Sequence, residues 1–133
     1  MKLIHPVLII RVLSTILLIG AISFLVCIPV ALIYDEPLIP FYGSAIITGI
    51  ISVLLRIVTK KADPADMTSR DSCLTVTFAW MIIALFGSLP YIISKSIPSV
   101  VNAIFESASG FTTTGASILT DVEILPWSIL FWR

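Results

Sequence analysis

Charge is what this sequence has least of. Only 12% of its 133 residues are Asp, Glu, Lys or Arg, about half of the roughly 25% that a water-soluble domain carries. The eight basic and eight acidic residues cancel. That removes the basic footprint of a nucleic-acid binder, so no nucleic-acid partner is expected. Histidine occurs once, at His5, and cysteine twice, at Cys27 and Cys73, which leaves little material for catalysis by either residue. What is abundant is apolar: 58% of the chain is hydrophobic. A chain of this composition needs lipid around it, and its length allows one ordinary domain at most.

Three runs are long enough to cross a bilayer as helices, which takes roughly 20 apolar residues. Val12 to Ile33, Leu38 to Leu55 and Ser72 to Ser94 carry no charge, and Arg56 closes the second. None has the polar face of a helix lying on a membrane surface. The first run exceeds the roughly 7–15 residues of a signal-peptide core and is expected to be retained. Leu25-Val26-Cys27 hints at a lipoprotein cleavage box, but Val26 is too bulky before the cysteine. Pro29 and Pro90 are expected to kink their spans.

Orientation follows the basic residues. Lys2 and Arg11 precede the first span, and Arg56, Lys60, Lys61 and Arg70 lie between the second and third. The other side holds Asp35, Glu36, Lys95, Asp121 and Glu123. The N-terminus and the loop from Arg56 to Asp71 are therefore expected to be cytosolic, and residues 95–126 to lie outside. Arg11 is expected to snorkel to cytosolic headgroups. Asp63-Pro64 breaks the loop, Asp63 and Asp66 are expected to be solvated rather than metal-binding, and Thr68 or Ser69 with Asp71 can cap the third span. Cys27 and Cys73 fall near opposite membrane faces, too far apart for a disulfide, and both are expected to be buried and inert.

The pattern changes at Ile97. Pro98 to Ser109 can form a helix, with Pro98 in its first turn and Gly110 as a left-handed stop. Twelve residues reach only about 18 Å, too short to cross. In Gly110-Phe111-Thr112-Thr113-Thr114-Gly115-Ala116-Ser117, three β-branched residues between glycines oppose a helix and favour extended backbone. Such a stretch can return to the side it came from, where Asp121 and Glu123 meet water and Leu125-Pro126-Trp127 starts another descending helix. The expected fold class is an all-α membrane protein with a re-entrant pore helix and an extended loop. Residues 1–71 would form two helices and a cytosolic loop, and residues 72–133 a helix–pore loop–helix unit. Bare backbone at membrane depth is tolerated where it lines a water-filled cavity, and carbonyls there can replace a cation's hydration shell. The C-terminal end of the short helix favours the same sign of charge. Glu106, an acid at membrane depth, is expected to brace the loop by hydrogen bonds rather than touch an ion. Arg133 is expected to face a partner inside the bundle, which the sequence does not name.

The stretch Phe105-Glu106-Ser107-Ala108-Ser109-Gly110-Phe111-Thr112-Thr113-Thr114-Gly115-Ala116-Ser117 resembles the first pore loop of the TrkH/TrkG potassium uptake proteins, which belong with KtrB and the plant HKT transporters. Leu125-Pro126 and Ile129-Leu130-Phe131-Trp132-Arg133 resemble the start of the following helix. The resemblance implies four helix–pore loop–helix repeats around one path, with a glycine at each filter. It makes the backbone carbonyls of Thr113 and Thr114 the candidate potassium ligands and Gly115 the hinge of the selectivity filter, with Thr112 and Glu106 supporting. Potassium is then the transported ion. The implied partners are lipid, the remaining repeats, a second copy in a homodimer and a cytosolic nucleotide-binding regulatory subunit like TrkA. The implied location is the bacterial inner membrane, crossed several times. One repeat is expected not to enclose an ion by itself.

Two other readings compete. A non-transporting anchor or assembly module would make the threonine run accidental. A membrane-embedded hydrolase would use Ser107, Ser109 or Ser117, but it needs a general base nearby, and His5 belongs to the opposite side. The glycines do not form a phosphate loop, because no Gly-Lys-Ser/Thr follows.

Overall fold

The computed structural model describes residues 5–60 and 67–133. Lys2, Lys61, Asp63, Pro64 and Asp66, and the expectations attached to them, lie outside the described residues. The described chain contains seven helices and no strand: α1 (Pro6–Val26), α2 (Ile28–Ile33), α3 (Ile39–Val58), α4 (Ser69–Gly87), α5 (Leu89–Ile93), α6 (Val100–Phe111) and α7 (Trp127–Trp132).

Proline sets most of the helix starts. Pro6, Pro29, Pro40 and Pro90 occupy the first or second position of α1, α2, α3 and α5, and Pro126 precedes α7. A missing N–H costs nothing there, because the first-turn donors have no intrahelical partner. Pro29 and Pro90 thus do more than bend a continuous rod: the helix is interrupted for one residue, at Cys27 and at Ser88, and restarts. At the first break the Cys27 N–H bonds back only three residues, to Phe24 (3.1 Å). Counting across the breaks, Pro6–Ile33, Ile39–Val58 and Ser69–Ile93 are each long and apolar enough to cross a membrane. The first starts six residues earlier than the charge-free run, because Arg11 is accommodated inside the helix.

Helices in lipid gain little from hiding apolar surface, so close backbone approach decides their packing. α1 and α3 pack antiparallel through small residues. Ser14, Ala21, Ser44, Ala45, Thr48 and Ser52 are buried, and the Ser52 hydroxyl donates to the Ser14 carbonyl across the contact (2.6 Å). Arg11 does not simply extend to the surface. Its guanidinium donates to the Arg56 carbonyl (2.9 Å), satisfying an orphan acceptor at the negative end of α3. The start of α4 joins the same end: Thr68 and Asp71 form a reciprocal capping box, and Asp71 also accepts from the His5 N–H (3.0 Å). Thr68, not Ser69, is the cap. Apolar side chains such as Ile19, Ile46, Val53, Phe78 and Met81 face outward, the reverse of a soluble domain. Cys27 is buried but Cys73 is exposed, because two residues turn a helix by about 200° from the buried face of Asp71.

The other end holds the core, where Cys27, Ile28, Phe41, Tyr91, Ile97, Ala103, Leu125 and Ile129 cluster beneath the final loop. α6 begins there, after α5 ends, and α7 begins there again beside the end of α2. The segment between them therefore enters and returns on one side. α6 starts two residues later than expected, after Ser99, which leaves Pro98 outside the helix.

Candidate functional site

α6 runs through Gly110, which is not the left-handed stop expected of it. The turn falls three residues later, at Thr113 (φ 55°). The Thr113 N–H bonds to the Gly110 carbonyl (3.1 Å) and the Thr114 N–H to the Ser109 carbonyl (3.0 Å), the paired bonds of a Schellman ending. A β-branched residue in this region is a true outlier and holds about 1–3 kcal/mol of strain. Tertiary packing explains the shift. A Cβ on Gly110 would meet the Arg133 carbonyl oxygen at 2.7 Å, so Gly110 serves close packing against α7 instead of the turn.

The threonine run is correspondingly less extended than its composition suggests. Thr112 stays near helical (φ −82°), Thr113 and Gly115 have positive φ (55° and 72°), and Thr114 does not. Four successive residues therefore alternate in the sign of φ. The donors of residues 112–114 are tied to the end of α6. Among the described residues, the carbonyls of Thr112, Thr113, Thr114 and Gly115 accept no hydrogen bond, and all four residues are exposed. Side chains lock the arrangement. The Thr112 hydroxyl lies 2.7 Å from the Ala108 carbonyl and 2.8 Å from the Thr114 hydroxyl. A carbonyl only accepts, so Thr112 donates to Ala108 and Thr114 donates to Thr112. The Ser109 hydroxyl donates to the Ala116 carbonyl (2.5 Å).

Behind this stretch sits Glu106, 1% exposed. Its carboxylate accepts from the Ser117 hydroxyl (3.0 and 3.2 Å) and the Ile118 N–H (3.2 Å). Its remaining partner is Arg133, whose Nε lies 2.6 Å away in an ion pair. This is the partner the sequence left unnamed. A separation of 27 residues carries no periodic signal, so only the packing of α7 against α6 reveals it. An open hollow of about 440 Å³ lies among Glu106, Ser109, Thr113, Gly115 and Arg133.

A second carboxylate escaped sequence reasoning altogether. Glu36 accepts from the Trp127 N–H (2.6 Å) and Ser128 N–H (2.9 Å), and from the Ser128 hydroxyl. It caps α7 from 92 residues away, where negative charge suits the helix N-terminus, and the Tyr34 and Trp127 rings stack beside it at 5.4 Å. In the full-length protein, Glu36→Ala is expected to cost about 0.5–2 kcal/mol, the range for a lost cap, with Glu36→Asp between the two. Equal melting temperatures for Glu36→Ala and the parent would show that the cap contributes nothing.

The serines do not form a nucleophile–base pair. Among the described residues the Ser107 hydroxyl has no partner, and Ser109 is committed to a carbonyl. Ser117 does reach a carboxylate, but one already occupied by Arg133 and the Ile118 N–H.

Three membrane-length helical runs and a short helix that enters and returns on one side define a polytopic membrane protein with a re-entrant loop. No family model matches the chain. A cation transporter of Methanocaldococcus jannaschii is 33% identical over 117 residues, covering 87% of this chain and 24% of that protein. The Trk system potassium uptake protein TrkH of Vibrio parahaemolyticus is 32% identical over 127 residues, 94% of this chain and 26% of the relative. The crystal structure of the potassium transporter TrkH from the same organism superimposes with a TM-score of 0.88 at 30% identity, over 98% of this chain and 28% of the other. The chain belongs to the TrkH family, one of transporters rather than enzymes, and spans about a quarter of the length of the relatives it matches.

Proposed function

We propose that this chain supplies one quarter of the selectivity filter of a potassium uptake protein, with the carbonyls of Thr113 and Thr114 taking the place of an ion's hydration shell. The observation that carries the reading is the row of four unpaired, exposed carbonyls on residues whose φ alternates in sign. Backbone acceptors left free at membrane depth need a wet path, and their partial charge selects a cation. The names and fold of the relatives support potassium as that cation.

Gly115 is the hinge in this reading, Thr112 holds the Thr114 side chain, and Glu106 braces the returning strand without touching the ion. The other three filter segments come from the remaining repeats of the full-length protein. The membrane is the bacterial inner membrane, with the N-terminus cytosolic, as the basic residues Arg11, Arg56, Lys60 and Arg70 favour. A second copy and a cytosolic nucleotide-binding regulatory subunit complete the assembly. The alternative, a passive anchor, gives no reason for free carbonyls on a strained turn.

Gly115→Ser in the full-length protein tests the reading. Within this chain a Cβ at Gly115 meets nothing within 4 Å, so here the substitution acts through its positive φ (72°). A left-handed L-residue costs roughly 1–2 kcal/mol, and relaxing that strain turns the neighbouring carbonyls. Potassium-over-sodium preference in liposome uptake is expected to fall about tenfold, since 1.4 kcal/mol is a factor of ten. Gly115→Asn, which tolerates positive φ better, should lose less. An unchanged preference in folded Gly115→Ser protein would sink the filter and favour the anchor.

A further inference from the structure

The ion path is not the only polar feature at membrane depth. A separate hollow of about 80 Å³ lies among Tyr91 of α5, Ser107, Gly110 and Phe111 of α6, and Trp132 and Arg133. Ser107 is 2% exposed, and among the described residues its hydroxyl has no hydrogen-bond partner. A buried hydroxyl without a partner carries the full cost of losing its water. A serine in a helix normally escapes that cost by donating to the carbonyl one turn back, as Ser23, Ser44 and Ser72 do here. Ser107 does not.

We propose that this hollow is a binding site for ordered water, one or two molecules bridging the Ser107 hydroxyl to Tyr91 and Arg133. Three observations converge on that ligand. The size is right: a water takes about 30 Å³ and needs two to four polar partners. The wall supplies them in the Ser107 hydroxyl, the phenol of Tyr91 (1% exposed) and the guanidinium of Arg133, of which only Nε is committed, to Glu106. The charge balance favours a neutral ligand. Arg133 on the wall repels a cation, and Glu106 already neutralises Arg133, so an anion would add an uncompensated charge at membrane depth. An apolar occupant would leave Ser107 unsatisfied.

The bridge ties the α5 segment beyond the Ser88 break to the ion pair behind the returning strand. It goes beyond the filter reading and does not depend on which ion passes.

The test is a structure of the full-length, unmutated protein at a resolution that shows ordered water. Compact density is expected within about 3.2 Å of the Ser107 Oγ, also in contact with Tyr91 or Arg133. The same density should be missing in Ser107→Ala; if that variant does not fold, the unmutated map decides alone. Empty density, with the Ser107 hydroxyl turned to the Ala103 carbonyl, would overturn the proposal. So would a peak that scatters anomalously after bromide exchange, which would make the ligand an anion.

Discussion

Replacing Glu106 with Gln in the full-length protein is expected to remove about 3 kcal/mol of stability and to weaken potassium-over-sodium preference. The carboxylate offers two acceptor oxygens, one to the Arg133 Nε–H and the other to the Ile118 N–H, with Ser117 shared between them. Glutamine keeps the shape but has one oxygen and one NH2 group. Whichever way the amide is turned, its NH2 faces a donor, either Ile118 or Arg133. The Ser117 hydroxyl can rotate to accept, but a backbone N–H and a guanidinium cannot. Removing one member of a buried pair costs about 3–5 kcal/mol, because the other is left charged and unpaired. The lower end applies here, since the Arg133 side chain is 26% exposed and recovers some hydration. Glu106→Gln combined with Arg133→Gln should then lose less than Glu106→Gln alone, because no orphaned charge remains. Melting of the two variants in detergent, with liposome uptake beside it, separates the effects. If Glu106→Gln melts and transports like the parent, the carboxylate braces nothing.

Gly87→Val is expected to cost about 1–3 kcal/mol, the range for overpacking, and to lower the yield of folded protein. Gly87 ends α4 where α6 crosses it. Any Cβ there would stand 2.5 Å from the Ser107 hydroxyl oxygen and 2.6 Å from a ring carbon of Phe111. The neighbours have little room to yield. Phe111 packs edge-on against Trp132 at 5.8 Å, and the Trp132 indole N–H donates to the Gly87 carbonyl (2.9 Å). A larger residue therefore pushes α6 outward and pulls the indole off its acceptor together. Gly20 is the control, because a Cβ there meets nothing within 4 Å. Gly20→Ala should be neutral or stabilise α1 by roughly 0.5–1 kcal/mol, from helix propensity alone. Opposite signs for two helical glycines would show that crowding, not backbone entropy, makes Gly87 necessary. Equal effects would remove that explanation.

Much of the architecture was legible before any coordinates. Charge-free runs of bilayer length marked the three crossings, and twelve helix-forming residues expected at Pro98–Ser109, too few to span, marked the short helix, which lies two residues further on at Val100–Phe111. The capping of α4 with Asp71 was legible to within one residue, Thr68 or Ser69, because the partners are close in sequence; the structure selects Thr68. Local rules misplaced the turn, however. They assign the left-handed residue to Gly110, the best local candidate, and the strain falls on Thr113 because the backbone of α7 claims the space above Gly110.

By itself, then, the sequence determined the number of crossings and the existence of the short helix. These depend on neighbours within a turn or two and on the apolar surroundings. The tertiary structure alone decided that Glu106 meets Arg133, that Glu36 caps α7, and that Gly87 and Gly110 are glycines for want of room. Those contacts join residues 20 to 92 positions apart. Their partners share no periodicity, and they meet only because packed helices bring their backbones close enough to touch.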